Sequence, residues 1–268
     1  MTEFCKIEIV SPSSLKTLIK NEVLATHQRI MDRLPPKLTP DEPLTPLSDH
    51  QLEAKSAIES FWQTKDNVLF HGITGSGKTE VYKHLIAQEL AKGKQVLFLV
   101  PEIGLTTQLM QRLYAFFGKQ LVVYHSRYSP QERTETWNKI LANKDEARLV
   151  LGARSAVLLP FQNLGLVVVD ESHEISYKQF ESSPRYHARD AAMMLSRMHK
   201  AKVILGSATP SVESYTHAQS AKYGLVSMTV RFKDAKMPQI SYVDLSEAYR
   251  KKQMSGHLAQ PLLSLIHI

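Results

Sequence analysis

The chain alternates between two hydrophobic rhythms. Short unbroken apolar runs sit at Asn67–His71, Gln95–Val100, Leu121–Tyr124, Arg148–Gly152, Leu166–Asp170 and Lys202–Gly206. Runs of this length, bounded by polar turns, predict strands buried on both faces. Between them, apolar residues recur every three to four positions. This spacing predicts helices over Leu52–Trp62, Lys78–Ala91, about 105–117, Pro130–Ala142, Arg189–His199 and Ser211–Ala221. Pro130 is well placed at a helix start. Gly224–Val230 reads as a last strand. Strand and helix in alternation predict an α/β fold, a parallel sheet with helices on both faces. After about Arg231 the rhythm is lost. Before it, Ser11–Asn21 reads as a short helix and Val23–Met31 as a strand. That piece is too small to hold a core of its own. The proline-rich stretch 35–46 (PPKLTPDEPLTP) reads as a linker.

Composition adds little to this picture. An apolar fraction of 43% with 22% charged residues is ordinary for a globular chain. The net charge of +7 favours an acidic partner, nucleic acid first. Cys5 is the only cysteine, which excludes an internal disulfide and any multi-cysteine zinc site within this chain. Charged residues interrupt the first 30 positions, and no apolar run is long enough to span a bilayer, so the expectation is a cytoplasmic protein with no membrane partner.

The chemistry begins at the end of the first strand. Gly72-Ile73-Thr74-Gly75-Ser76-Gly77-Lys78-Thr79 fits the pattern G-x-x-x-x-G-K-[ST]. Glycines let successive N–H groups close on phosphate oxygens. Lys78 would reach the β- and γ-phosphates, and the Thr79 hydroxyl would hold Mg²⁺. A strand before the loop and a helix after it supply the anion site such a loop needs. A second strand ends in Asp170-Glu171-Ser172-His173. Asp170 would hold Mg²⁺ and Glu171 would polarise a water. Taken alone, the same pair is equally an acidic cap on the next helix. A third strand ends in Gly206-Ser207-Ala208-Thr209-Pro210, by itself an ordinary loop with an N-cap.

Gly-Lys-Thr, then D-E-x-H, then S-A-T is the motif order of the first RecA-like lobe of superfamily 2 helicases. The chain further resembles the PriA family of replication-restart helicases. The resemblance rests on HGITGSGKTEVY (71–82), VLFLVPEIGLTTQ (96–108), YHSRYSPQERTETW (124–137), LGARSA (151–156), PFQNLGLVVVDESHEISYKQFESSPRYHARDAAM (160–193) and ILGSATPSVES (204–214). It covers about 47–230. It implies an ATP- and Mg²⁺-dependent DNA helicase of 3′-to-5′ polarity, with single-stranded and forked DNA, primosome proteins and single-strand-binding protein as partners. Gln51 then corresponds to the adenine-reading glutamine. Pro101, Glu102, Gly104 and Thr106 fall in motif Ia, and Arg154 and Ser155 in motif Ib, both facing strand phosphates. Residues 174–190 resemble the aromatic-rich loop, with Tyr177, Phe180 and Tyr186 to stack bases and Lys178, Arg185, His187 and Arg189 among them. This loop starts just after His173, which makes it a route from strand binding to Glu171. Ser207, Ala208 and Thr209 would couple the nucleotide to the strand. The sequence departs from the family at Ser172, where a second glutamate is usual, and at Pro184, where an aromatic is usual.

The resemblance also divides the chain. Residues 1–34 would be a remnant of a winged-helix DNA-binding domain, 35–46 a linker, 47–232 the first motor lobe, and 233–262 the start of a connection to a second lobe. That second lobe would supply an arginine to the transition state, and zinc is expected only there. Residues 263–268, LSLIHI, can be reverse-translated as a transposon end used in preparing sequencing libraries, and the expectation is an adaptor read-through. Two other functions stay open: a nucleotide- and DNA-binding unit without turnover, and a different superfamily 2 translocase. A P-loop kinase is disfavoured by the D-E-S-H strand.

Overall fold

The structure, a computed structural model, describes residues 17–21, 43–125, 128–181, 183–231 and 241–266. Its centre is a seven-stranded sheet in which every pairing is parallel. The strands are β1 (Asn67–Gly72), β2 (Gln95–Leu99), β3 (Leu121–Tyr124), β4 (Leu149–Gly152), β5 (Leu164–Val169), β6 (Lys202–Ser207) and β7 (Gly224–Met228). They lie in the order β3-β4-β2-β5-β6-β1-β7.

Side chains alternate across a strand, so each buried strand feeds two cores. Phe70, Phe98, Val168 and Ile204 enter one core, while Leu69, Leu97, Leu99, Val167 and Leu205 enter the other. The first core is closed by helices α1 (Asp49–Phe61), α2 (Lys78–Ala91) and α3 (Thr107–Phe117) through Ile58, Val81, Tyr82, Leu85, Leu113 and Phe117. The second is closed by α4 (Pro130–Leu141), α5 (Ala188–His199) and α6 (Val212–Gln219) through Ile140, Ala188, Ala192 and Ala218. Each fully buried Leu, Val or Phe side chain contributes about 1.5–3 kcal/mol. The pattern of the sequence therefore becomes three helices on each face of one sheet.

Helix starts follow local chemistry. Ser129 caps α4, with Pro130 in the first turn and Glu132 closing a reciprocal capping box. Ser48 and Gln51 form the same box at α1. Observed boundaries lie close to those expected. Beyond Arg231, where no pattern was expected, the described residues hold a short helix (Leu245–Arg250), a two-residue hairpin (Met254–Ser255 with Leu258–Ala259) and a helix over Gln260–Ile266. Of the residues of these elements whose burial is described, Ala248 and Ala259 are the buried ones. Near the start, residues 17–20 form a helical turn, in line with the expected helix. The strand expected over Val23–Met31, and with it the winged-helix reading, lies outside the described residues, as does most of the linker. Among the described residues no helix is long and apolar enough to cross a membrane.

A nucleotide cleft and a loop-lined edge

All strands of a parallel sheet end on one edge, and ligands of open α/β sheets bind there. Along that edge the loops follow the strand order. Motif Ib follows β4, motif Ia follows β2, D-E-S-H follows β5, S-A-T follows β6 and the phosphate loop follows β1. Five motifs spread over the 139 positions from Gly72 to Pro210 thus become neighbours.

The phosphate loop folds as its glycines require. Gly75 and Gly77 adopt φ of 78° and 87°, a left-handed region that side chains disfavour. Helix α2 starts directly behind Gly77. The Lys78 ammonium is buried and donates to the Gly72 carbonyl at 2.7 Å, leaving two further donors. A cleft of about 510 Å³ opens above the loop, lined by Thr74, Gly75, Gly77, Lys78, Thr79, Asp170 and Glu171 together with Thr45, Pro46, Gln51, Glu80 and Arg112. Gln51 is buried. Its Oε1 accepts from the Ser48 N–H at 3.0 Å, and its amide nitrogen packs on Gly77, where any Cβ would collide with it.

Asp170 faces the loop from β5. The Tyr82 hydroxyl donates to its Oδ1 at 3.0 Å, and the Tyr177 hydroxyl to its carbonyl at 2.6 Å. Burial, then the charge of Glu171, push the Asp170 carboxyl up to about 6, while Lys78 pulls it down. Glu171 turns the chain out of the strand with φ of 45°, a left-handed conformation that costs a non-glycine residue about 1–2 kcal/mol. His173 Nδ1 lies 2.8 Å from Ser207 Oγ and 3.7 Å from Glu171 Oε2. Ser207 Oγ also accepts from the Thr209 N–H at 3.0 Å. His71, at the end of β1, pairs through Nε2 with the Ala208 carbonyl at 3.2 Å. The S-A-T loop is therefore hydrogen-bonded to both the phosphate-loop strand and D-E-S-H.

A nucleotide phosphate chain with a divalent cation fits these residues. The loop offers open backbone at Gly75, where a Cβ would meet nothing within 4 Å. The Ser76 hydroxyl is buried without a partner. Asp170 is a half-buried carboxyl beside a second acid, an arrangement that a cation relieves.

The sequence family described as DEAD/DEAH box helicase matches residues 48–217. The chain belongs to that family. Within it, the chain is 43% identical over 261 residues to the replication restart protein PriA of Bacillus subtilis, covering 94% of this chain and 32% of that protein. It is 39% identical over 262 residues to the PriA protein of Chlamydia pneumoniae, covering 96% and 35%. The chain thus spans about a third of the length of these relatives. Among solved structures, RecG bound to a three-way DNA junction aligns with a TM-score of 0.53 at 23% identity, over 72% of this chain and 25% of that one. The fold is the RecA-like α/β lobe of a helicase.

On the other half of this helicase lobe the structure corrects two expectations. Tyr177 is not a stacking residue, because its ring is buried in the second core and its hydroxyl is used by Asp170. Pro101 is buried too, and its carbonyl accepts from the Gly104 N–H at 2.8 Å to shape the motif Ia turn. Arg154 is half-buried, and its Nη1 donates to the carbonyls of Ser176 at 3.4 Å and Lys178 at 3.0 Å, so it also organises the loop. Arg189 is engaged as well, with Asp190 at 3.0 Å and Ser211 Oγ at 3.4 Å. Glu102, Thr106, Ser155, Lys178 and Arg185 are exposed, and Gly104 and Tyr186 are half-buried. Thr106 caps α3 by accepting from the Leu109 N–H at 3.2 Å. Lys178 lies over the exposed Phe180 ring, 5.5 Å from its centroid. Residues 178–187 fold back on themselves, with the Gln179 N–H donating to the Tyr186 carbonyl at 2.9 Å.

Four site residues had no role assigned from sequence: Arg112, outside every motif, and His71, Tyr82 and Gly206, which lie within the motif stretches. For Tyr82 the signal was its position four after Lys78, on the same helix face.

Proposed function

We propose that this chain is the ATP-binding motor lobe of a 3′-to-5′ DNA helicase of the replication-restart type, acting on single-stranded and forked DNA alongside primosome and single-strand-binding proteins. The observation that carries the reading is one cleft lined by Lys78, Thr79, Asp170 and Glu171, on a sheet edge where His173 bonds Ser207 and His71 bonds the Ala208 carbonyl. Its relatives bear the name of a replication restart protein, and RecG was solved on a DNA junction.

In this reading Gly75, Gly77 and Lys78 bind and orient the triphosphate, and Gln51 borders the adenine. Thr79 and Asp170 would hold Mg²⁺, which supplies charge neutralisation on the phosphate oxygens. Glu171 orients the attacking water and takes its proton at the carboxylate. His173 holds the S-A-T loop through Ser207, so movement of either loop reaches Glu171. Glu102, Thr106, Ser155, Lys178, Arg185 and Tyr186 form the strand-facing surface, and Phe180 offers it an exposed ring. An arginine from a second lobe completes such sites and is worth several orders of magnitude in rate. By itself the chain therefore binds nucleotide and strand with little turnover.

The test is ATPase activity, with and without single-stranded DNA, of this chain beside a protein that spans the full length of its relatives. The longer protein should hydrolyse ATP with DNA stimulation and lose both on Lys78→Ala. Fast turnover by the chain alone would contradict the proposal, as would DNA-independent turnover by the longer protein.

A further inference from the structure

With Tyr177, Tyr82 is one of the two largest fully buried side chains among the described residues, and its hydroxyl is the one side-chain group there within hydrogen-bond distance of the Asp170 carboxylate. The ring is fixed by edge contacts with Phe70 and Phe98, at centroid distances of 5.9 Å and 5.7 Å. Behind the hydroxyl stands Gly206 of β6. A Cβ there would collide with the Tyr82 oxygen and approach Asp170 Oδ1 to 3.0 Å. Three elements thus interlock: a ring from α2, a carboxylate from β5 and the missing side chain of β6. Helix α2 is also the helix that starts with Lys78 and Thr79.

We infer that Tyr82 is a positioning residue for the divalent cation of this site. By holding Oδ1 with a hydrogen bond, it fixes the rotamer of Asp170 and directs Oδ2 toward the cleft above Thr79. The inference rests on the nucleotide-site reading above. Groups that orient a metal-binding carboxylate commonly change metal affinity about 10–100-fold when removed. Phenylalanine keeps the ring packing and removes only the oxygen, so Tyr82→Phe isolates the hydrogen bond.

The experiment measures two affinities in the whole chain. One is ADP binding without divalent metal, by calorimetry. The other is Mn²⁺ binding at saturating ADP, by the loss of the free-ion paramagnetic resonance signal. Tyr82→Phe should leave the first unchanged and weaken the second about tenfold. Equal loss of both would mark a general lesion of the fold and overturn the inference, and so would unchanged Mn²⁺ binding. If the wild-type chain itself bound no ADP-dependent Mn²⁺, the nucleotide-site reading would fall, and this inference with it.

Discussion

The two halves of the sheet edge are built on opposite principles. Around β5, β6 and β1 the side chains are tied down before any ligand arrives, with Lys78, Tyr82 and Ser207 buried and Asp170 and Glu171 half-buried. Lys78, Asp170, Tyr82 and Ser207 each have named partners within about one hydrogen-bond length. Around β2, β4 and the loop after His173, large side chains stand in solvent: Ile103 is 80% exposed, Ile175 71% and Phe180 54%. The cations on that side that are not exposed, Arg154 and Arg189, are engaged with the protein. Phosphoryl transfer needs preorganised charge, which only a rigid, desolvated setting provides. A surface that grips a strand of any sequence needs accessible rings and cations instead. Between the halves sits the loop of Tyr177, which is buried against the first half while its neighbours are exposed in the second.

The comparison can be broken in several ways. The largest effect is expected from Lys78→Ala, which removes charge-assisted bonds to phosphate. ADP affinity should fall about 100-fold, while binding of a labelled single strand, read by anisotropy, stays unchanged. Equal loss of both would mean the halves are not separate.

Asp170→Asn should act in opposite directions on stability and on metal. Asp170 is raised from 3.8 to about 6, so its native state holds the proton more tightly than the unfolded chain. The stability this contributes is fully present below the unfolded value and is lost as pH rises through about 6, about 3 kcal/mol in all. Asparagine keeps an acceptor for Tyr82 without the buried charge. Urea unfolding of the metal-free chain should show the variant more stable at pH 8 by about 1–2 kcal/mol, with a flatter profile between pH 4 and pH 7. The same variant should lose Mg²⁺ enhancement of ADP binding. A destabilised variant at pH 8 would contradict the burial argument.

Smaller effects separate the aromatics of the loop. Phe180→Ala should weaken strand binding about tenfold and leave the melting temperature unchanged, since its ring is exposed. Tyr177→Phe should do the reverse in kind. It removes the bond to the Asp170 carbonyl and should cost about 1 kcal/mol of stability with little direct loss of strand affinity. The opposite assignment of these two phenotypes would reinstate Tyr177 as a stacking residue.

Much of the first half was legible in the residues. The buried runs gave β1 to β6, because strands covered on both faces have no polar alternation to confuse with helix, while β7, with an alternating burial pattern, matches the separate reading of Gly224–Val230. Gly-Lys-Thr and Asp-Glu stood at strand ends, where only one edge is available to them. What could not be read were the contacts that cross the sheet. Tyr82 and Asp170 are 88 positions apart, and nothing local tells a buried tyrosine from a merely hydrophobic one. Gly206 reads as one more small residue until Tyr82 is seen behind it. Tyr177 misled for the converse reason. An aromatic in a polar loop reads as exposed, yet its hydroxyl reaches back seven positions to a backbone carbonyl. Arg154 likewise spends its charge on carbonyls, which leave no trace in sequence.

The central claim is that one cleft, floored by Lys78 and walled by Asp170, binds nucleotide with a divalent cation. Calorimetric titration of ADP into the chain, with and without Mg²⁺, tests it most directly. One site per chain is expected, tighter with Mg²⁺, whose Mg²⁺ enhancement disappears in Asp170→Asn and whose binding collapses in Lys78→Ala. Binding that survives Lys78→Ala, or that is indifferent to Mg²⁺ in the wild type, would contradict it.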